Sequence, residues 1–545
     1  MEFNVADLFE AAVDKVPDRE IIVCGDSRAT FRELDERASQ VAHYYLSLGL
    51  GQGDYIGIYA YNSLEWVEAM LGAYKIRAIP ININYRYVED ELRYLFDNAD
   101  IVTLVFESQF KGLVAAVKDD MPKLAHLISF DGDCRDIGAV DFEEAIESQS
   151  IERDFESRSA DDLYVLYTGG TTGMPKGVMW RQEDVMMALG GGIDPVSGTQ
   201  YEKPEAMIER IGDFCLVQMP LAPLMHGAAQ WALFSQMLRG YKIVMIPGGF
   251  DAHKCWELAV REKVNSISIT GDATGRPLVE ALAEGDYDLS NLHILVSTAA
   301  IFSHSVKKQF FEHKPELAII DAVGSSEQGT AGLKTFTRDN IDEAVAEQRD
   351  RKNKGLRVDA GKDVTVLGDN LEPLEPGSGE IGRLARGGNI PLGYFKDEKK
   401  TRETFVTASD GKRWAMAGDM ARLEADGTIT LLGRGSGCIN SGGEKIFPEE
   451  VEDGLKAHAD IYDCLVVGVP DDRWGQRVSA LVQLREGATL DLGELQRHAR
   501  TVVAGYKIPR EMHIVEQIKR APSGKPDYRW AKQLAESDPP PASAD

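Results

Sequence analysis

Tyr167-Thr168-Gly169-Gly170-Thr171-Thr172-Gly173-Met174-Pro175-Lys176-Gly177 is the most informative stretch of this 545-residue chain. The run just before it, Asp162–Tyr167, is short and apolar after its aspartate, which predicts a buried strand feeding the string. Glycines let the backbone approach an anion closely, threonine hydroxyls can donate hydrogen bonds, and Lys176 supplies positive charge. A glycine-rich surface turn would need neither the threonines nor the lysine. The string is not a P-loop of the GxxxxGK[ST] type, because Pro175 precedes the lysine and Gly177-Val178 follow it. A second string, Gly377-Ser378-Gly379-Glu380-Ile381-Gly382, does match GxGxxG. It follows the proline-containing Leu371–Pro376 instead of a strand and leads into strand-like Arg383–Arg386, so a dinucleotide site is rejected there.

Outward from the phosphate string, short Val- and Ile-rich runs predict further strands at Lys242–Ile246, His293–Ser297 and Ala318–Val323. Helical periodicity marks Phe31–Leu46, Ser63–Ala73 and Glu89–Asn98. Strands alternating with helices give an α/β fold class with mostly parallel sheets covered on both faces. No repeat of 20–50 residues indicates a solenoid or propeller. Gly433–Gly443 is poor in large side chains and reads as a hinge or as a surface turn between strands. Beyond Gln533 the chain ends in a Pro- and Ser-containing tail expected to be disordered.

Hydrophobic residues at 43% and charged residues at 27% fit a soluble globular enzyme. A net charge of −28 argues against a nucleic-acid partner, and no long Lys/Arg cluster offsets it. Anionic substrates would therefore need local cations or backbone N–H groups. The cysteines at 24, 134, 215, 255, 438 and 464 show no CxxC pair and no zinc spacing, as expected for reduced thiols in a cytoplasm. The N-terminus lacks the basic start and apolar run of a signal peptide, and no apolar run is long enough to span a bilayer, so a cytoplasmic protein is expected.

A set of strings in fixed order resembles the adenylate-forming superfamily, which holds acyl-CoA synthetases, peptide-synthetase adenylation domains and firefly luciferase. Thr168–Gly177 resembles its phosphate loop, and Pro223-Leu224-Met225-His226-Gly227 its aromatic-or-His substrate motif. Ser297-Thr298-Ala299-Ala300 resembles the adenine wall, with Thr298 where glycine is usual. Gly324-Ser325-Ser326-Glu327 has Ser326 in place of threonine, and Trp414–Asp419 resembles the ribose segment with Ala417 in place of threonine. Gly433-Arg434 and Gly442-Gly443-Glu444 resemble the hinge motif, and Pro522-Ser523-Gly524-Lys525 the C-terminal lysine motif.

The resemblance implies a large multi-sheet N-terminal domain over 1–432, a hinge at 433–441, a small mobile α/β C-terminal domain over 442–533, and a tail from 534 to 545. It implies a carboxylic acid, ATP and coenzyme A as small-molecule partners, Mg2+ as cofactor, and a homodimer at the level of the family. Carboxylate and triphosphate are both anionic, so the barrier is relieved by cations and donors without a covalent nucleophile, in keeping with the absence of a GxSxG elbow. Lys525 is implied to bridge carboxylate and α-phosphate, and its alternative is a solvated surface lysine. Glu327, with Thr168, is implied to hold the metal; a helix-start carboxylate is the alternative for Glu327. Gly169, Gly170, Thr171, Thr172, Gly173 and Lys176 are implied to cradle phosphate. Ala299, Ala300, Ser325, Ser326, Asp419 and Arg434 are implied to hold the rest of the nucleotide.

His226 orients the carboxylate or gates the thiol in this reading, with an acyl pocket of His226, Gly227, Trp231, Gly271 and Val323. Small residues there leave room for an acyl group or equally reflect core packing. Coenzyme A is assigned to Gly442, Gly443, Glu444 and Lys445. The family hinge usually carries Lys or Asp two positions after its arginine, whereas this chain has Ser436 and then Gly437. Val178–Asp184, Ile269–Ala273 and Gly433–Asn440 look like bacterial CoA ligases for steroid side-chain and fatty acids. Rival readings are an amino- or aryl-acid adenylation enzyme, for which Asp272 would meet a substrate ammonium, a carrier-protein acceptor, and a catalytically silent nucleotide-binding protein.

Overall fold

Leu163–Gly170 and Gly173–Arg181 are antiparallel strands whose register sets Thr168 directly opposite Lys176. The first strand runs on past the apolar stretch to Gly170 because its ladder to the second strand continues that far. Gly177 is required by this pairing, since a Cβ there would lie 2.8 Å from the Tyr167 ring. The structure, a computed structural model, describes residues 1–170, 173–194, 198–344, 356–361, 363–441, 444–471, 473–520 and 524–537. Two compact units are present. One comprises Met1–Ser268, Tyr287–Leu292 and Asn389–Phe405; the other comprises Ile269–Asp286, His293–Gly388 and Val406–Asp545.

In the first unit, Ile79–Asn82, Tyr55–Tyr59, Ile101–Glu107, His126–Phe130 and Val140–Asp141 pair in parallel as a five-stranded sheet. Helices Leu64–Lys75 and Glu89–Asn98 lie in its crossovers, where the apolar period places them. Val165 and Tyr167 of the hairpin bury with Ile81, Leu92 and Phe96 of this layer, which fixes the base of the phosphate string. A second sheet joins Glu20–Cys24, Lys242–Met245 and Val217–Pro220 in parallel. Helix Phe31–Ser47 starts on a Thr30/Glu33 capping box and packs on Leu64–Lys75 so closely that a Cβ on Gly72 would lie 2.6 Å from Val41 Cγ1.

In the second unit, Ile294–Ser297 and Ala318–Ser325 are parallel, and an antiparallel series continues through Gly329–Phe336, Leu356–Ala360, Ile429–Arg434 and Asp419–Leu423. A five-stranded sheet of Glu444–Ile446, Ile439–Ser441, Gly475–Leu484, Ile461–Asp471 and Glu511–Ile514 forms the C-terminal part. Helices Pro448–Lys456 and Leu492–Val502 share one buried cluster with it, and helix Tyr528–Ser537 shares another. Gly435–Gly437 carries the chain from the first of these sheets to the second, so it is not a hairpin turn between paired neighbours.

The last helix corrects the expected tail start. Residues 534–537 are helical because Leu534 and Ala535 pack with Ala531 against Leu465 and Val467; 538–545 lie outside the described residues. No helix among the described residues is long and apolar enough to cross a membrane. Gly72→Val should lower stability by about 1–3 kcal/mol through overpacking against Val41. A denaturation midpoint equal to wild type would show that the two helices can part at no cost.

Candidate active site

The candidate residues fall on both units, and each group is built by its own unit. In the first, Thr168 is half-buried and Gly169 exposed at the open end of the hairpin. Thr171 and Thr172 lie outside the described residues, and Gly170 and Gly173 are known through their backbone pairing. Lys176 forms an ion pair with Asp397, and its ammonium sits 5.9 Å from the Tyr394 ring centroid. Asp397 also caps helix Glu398–Thr404 by accepting from the Lys400 N–H at 2.9 Å. The Lys176 ammonium, and after it the Lys400 N–H, holds the Asp397 carboxyl below the usual carboxylate range. A carboxylate partner of this kind can give way to a phosphate, which offers the same acceptor chemistry with more charge.

Two buried asparagines set the segment that carries His226. Asn82 accepts from the Tyr167 N–H at 2.8 Å and donates to the carbonyls of Tyr167 at 2.9 Å and Met225 at 2.6 Å. Asn62 accepts from the Leu224 N–H at 2.8 Å and donates to Ile246 O at 3.2 Å. His226 is thereby fixed one residue from a strand-anchored carbonyl, in extended backbone before helix Gly227–Met237. The room beside Gly227 is taken up: a Cβ would lie 2.5 Å from both Leu166 and the Trp231 ring.

In the second unit, Ser326–Gln328 form the turn between strands Ala318–Ser325 and Gly329–Phe336. Glu327 is therefore at a hairpin tip, which removes the helix-start alternative. Gln328 is fully buried and donates to Leu384 O at 3.0 Å and Ala415 O at 2.9 Å, while Arg386 donates to Gln328 O at 2.7 Å. This anchors the Glu327 turn to the strand that leads to Asp419. Asp419 opens its own strand opposite Arg434, whose backbone is its register partner. Val323 is half-buried and packs on the cluster formed by Ala331, Val358 and Leu384.

Ala299 adopts a left-handed φ of 66° after strand Ile294–Ser297, beside Ala300. Gly271, at φ 55°, is needed where the helix Gly271–Glu284 begins, because a Cβ would meet Ile301 O at 2.3 Å. Lys525 is half-buried and follows Gly524, whose own φ is 75°. A Cβ on Gly524 would lie 2.9 Å from Thr270 Oγ1 and 3.1 Å from Ala273, so the lysine segment is seated on the start of that helix. Glu444 and Lys445 are exposed on a two-stranded hairpin with Ile439–Ser441, and Gly442 and Gly443 lie outside the described residues.

Asp272 does not offer a carboxylate to substrate. One oxygen accepts from Ser303 N–H at 2.8 Å and Ser303 Oγ at 3.0 Å, and the other lies 3.7 Å from both Arg276 and Lys456. The residues do fit an ATP–Mg2+ complex. Ser325 Oγ is buried without a hydrogen-bond partner among the described residues, and Lys176 is held by an exchangeable carboxylate. The sequence reading missed Asn62, Asn82, Gln328 and Asp397. Asn82 gave a signal, since it ends an otherwise apolar strand; Gln328 gave none beyond its place next to Glu327.

The chain has the fold of the adenylate-forming enzymes. The AMP-binding enzyme model matches residues 9–395, and the AMP-binding enzyme C-terminal domain model matches residues 450–525. The chain belongs to the AMP-binding enzyme family. The 3-oxocholest-4-en-26-oate–CoA ligase of Rhodococcus rhodochrous is 48% identical over 544 residues, spanning 98% of this chain and 96% of that one. A medium/long-chain-fatty-acid–CoA/3-oxocholest-4-en-26-oate–CoA ligase of Mycobacterium marinum is 47% identical, spanning 98% and 97%. Among solved structures, the anthranilate CoA ligase AuaEII in complex with anthranoyl-AMP has the same fold, with TM-score 0.82 at 21% identity over 98% of this chain and 97% of that one.

Gln328→Ala would leave two buried carbonyls without their donor and free the turn that carries Glu327. The expected result is a loss of about 1–3 kcal/mol of stability, with a raised KM for ATP–Mg2+. Unchanged stability and KM would show that the turn holds itself.

Proposed function

We propose that the protein activates a steroid side-chain acid or a medium- to long-chain fatty acid with ATP and transfers the acyl group to coenzyme A. The protein is an AMP-forming acid–CoA ligase that uses ATP, Mg2+ and coenzyme A. The observation that carries the acid class is near-50% identity, along the whole chain, to ligases named for those acids. A Cβ on Gly227 would meet Leu166 and Trp231 and one on Gly271 would meet Ile301 O, so neither glycine contributes open volume of its own.

In the first step a carboxylate oxygen attacks the α-phosphorus and pyrophosphate leaves. Lys525 balances charge between the two anions, and Lys176 exchanges Asp397 for phosphate. Glu327 with Thr168 would hold Mg2+, which would supply positive charge against the phosphates. Ser325 Oγ donates to the nucleotide, Ala299 and Ala300 line the adenine, and Asp419 and Arg434 take the ribose hydroxyls. In the second step the thiol sulfur attacks the acyl carbon and AMP leaves. His226 stands between acyl group and nucleotide and turns aside to admit the thiol, and Gly442–Lys445 line the pantetheine path. The segment 433–441 is the hinge between a body of 1–432 and a mobile C-terminal domain.

Lys525→Ala should abolish acid-dependent pyrophosphate exchange, by a hundredfold or more as an order of magnitude for a transition-state charge contact. Thioester formation from supplied acyl-adenylate should persist, and normal exchange in the variant would remove Lys525 from the reaction. AMP release over fatty, aryl, amino and steroid acids, with and without coenzyme A, tests the substrate class. Turnover restricted to amino or aryl acids would overturn it.

A further inference from the structure

The C-terminal family domain rests on helix Gly271–Glu284 through charges that no step above uses. Lys456, on helix Pro448–Lys456, is 3% exposed and lies 3.2 Å from Asp463 and 3.7 Å from Asp272. Arg520 forms a two-pronged pair with Asp463, at 2.8 and 2.9 Å, and donates a third hydrogen bond to Gly524 O at 3.0 Å. That carbonyl belongs to the residue just before Lys525. The chain of contacts thus runs from Asp272, through Lys456, Asp463 and Arg520, to the peptide that presents the lysine. Flanking pairs lie along the same face: Arg276 over the Tyr462 ring at 5.4 Å, Glu280 to Arg485 at 3.3 Å, and His304 to Asp453 at 3.6 Å.

We infer that Asp272 is a positioning residue for adenylation, a buried anion that captures Lys456 and so holds the Arg520–Gly524–Lys525 segment in its working place. The inference rests on the acid–CoA ligase reading. Asp272 suits this task because Ser303 fixes one of its oxygens and leaves the other for the two cations at 3.7 Å, with no close hydrogen bond to either. At that separation the attraction is chiefly between charges, so it can be released without breaking a tight, directional bond. Burial works against the Lys456 ammonium, and Asp463 and then Asp272 more than offset it, so the lysine stays charged. Lys456, Asp463 and Arg520 all belong to the C-terminal family domain, so in the proposed hinge motion they would stay paired, while the contact with Asp272, on helix Gly271–Glu284, would be made only in the arrangement seen here. A pair that forms in one of two conformations biases the equilibrium toward it by its differential energy.

Asp272→Asn keeps the acceptor for Ser303 and removes the charge. Expected is a fall of about tenfold in pyrophosphate exchange, with thioester formation from supplied acyl-adenylate unchanged. Lys456→Gln should do the same, and the double variant should be no worse than either single one. An equal fall in both half-reactions, no fall in exchange, or multiplicative losses in the double variant would overturn the inference. Hydrogen exchange of the full-length, substrate-free protein gives a readout independent of turnover. Peptides from the start of helix Gly271–Glu284 and from the lysine segment should exchange faster in Asp272→Asn than in wild type, and equal rates would also overturn it. A wild-type protein that adenylates no acid would instead overturn the ligase reading, and with it the role in adenylation, while the exchange comparison still reports whether Asp272 holds the segment.

Discussion

Asp397 pairs with the ammonium of Lys176, and this kind of pairing, a cation met by a carboxylate that is itself held, recurs in the molecule. The reaction joins two anions inside a chain whose net charge is −28. A cation left alone in such a chain would be drawn to whichever carboxylate is nearest, and its position would be set by accident. Here the partner carboxylates are themselves fixed. Asp397 is tied to a helix N-terminus, and Asp272 to Ser303. Each cation therefore waits at a known place, and the energy of moving it is a difference between two good partners, not the full cost of an unpaired charge.

Neutral amides do the complementary work. Asn82 ties the phosphate hairpin to the His226 segment, and Gln328 ties the Glu327 turn to the strand preceding Asp419. A buried carboxamide offers a donor and an acceptor without the desolvation cost of a charge. It can thus join main-chain segments in the interior, where an ion pair would gain little. Amides thus tie main-chain segments together, while Lys176 and Lys456 meet carboxylates.

Local pattern made much of the fold legible. Helix Glu89–Asn98 begins and ends where its period predicts, because an acidic first turn and an apolar stripe mark it. The strand ahead of the phosphate string was visible for the same reason, though its end was not, since pairing with a partner strand decides where a ladder stops. The string order exposed the residue types of the site. Long-range contacts stayed hidden: Asn82 bonds to residue 167 and residue 225, and Gln328 to 384 and 415. For Gly227 and Gly271 the sequence leaves open space and close packing equally possible, and Trp231 and Ile301 lie where a Cβ would go, because a glycine in sequence does not say what approaches it. Asp272 was legible as an acid and not as one already engaged.

The linker Arg434–Gly437 joins the strand Ile429–Arg434 to the C-terminal sheet. Ser436 and Gly437 stand where ionic residues are usual in this family's hinge, so after Arg434 the linker carries no charge. Gly433 has a φ of 118°, and a Cβ there would meet the Glu449 carboxylate at 2.4 Å. The backbone is thus packed closely against helix Pro448–Lys456 at a residue that tolerates many other angles. In the proposed hinge, such packing would restrain the glycine only while the helix stays against it. Asp272 and Lys456 form a buried charge contact between helices Gly271–Glu284 and Pro448–Lys456, on the path that ends at Lys525.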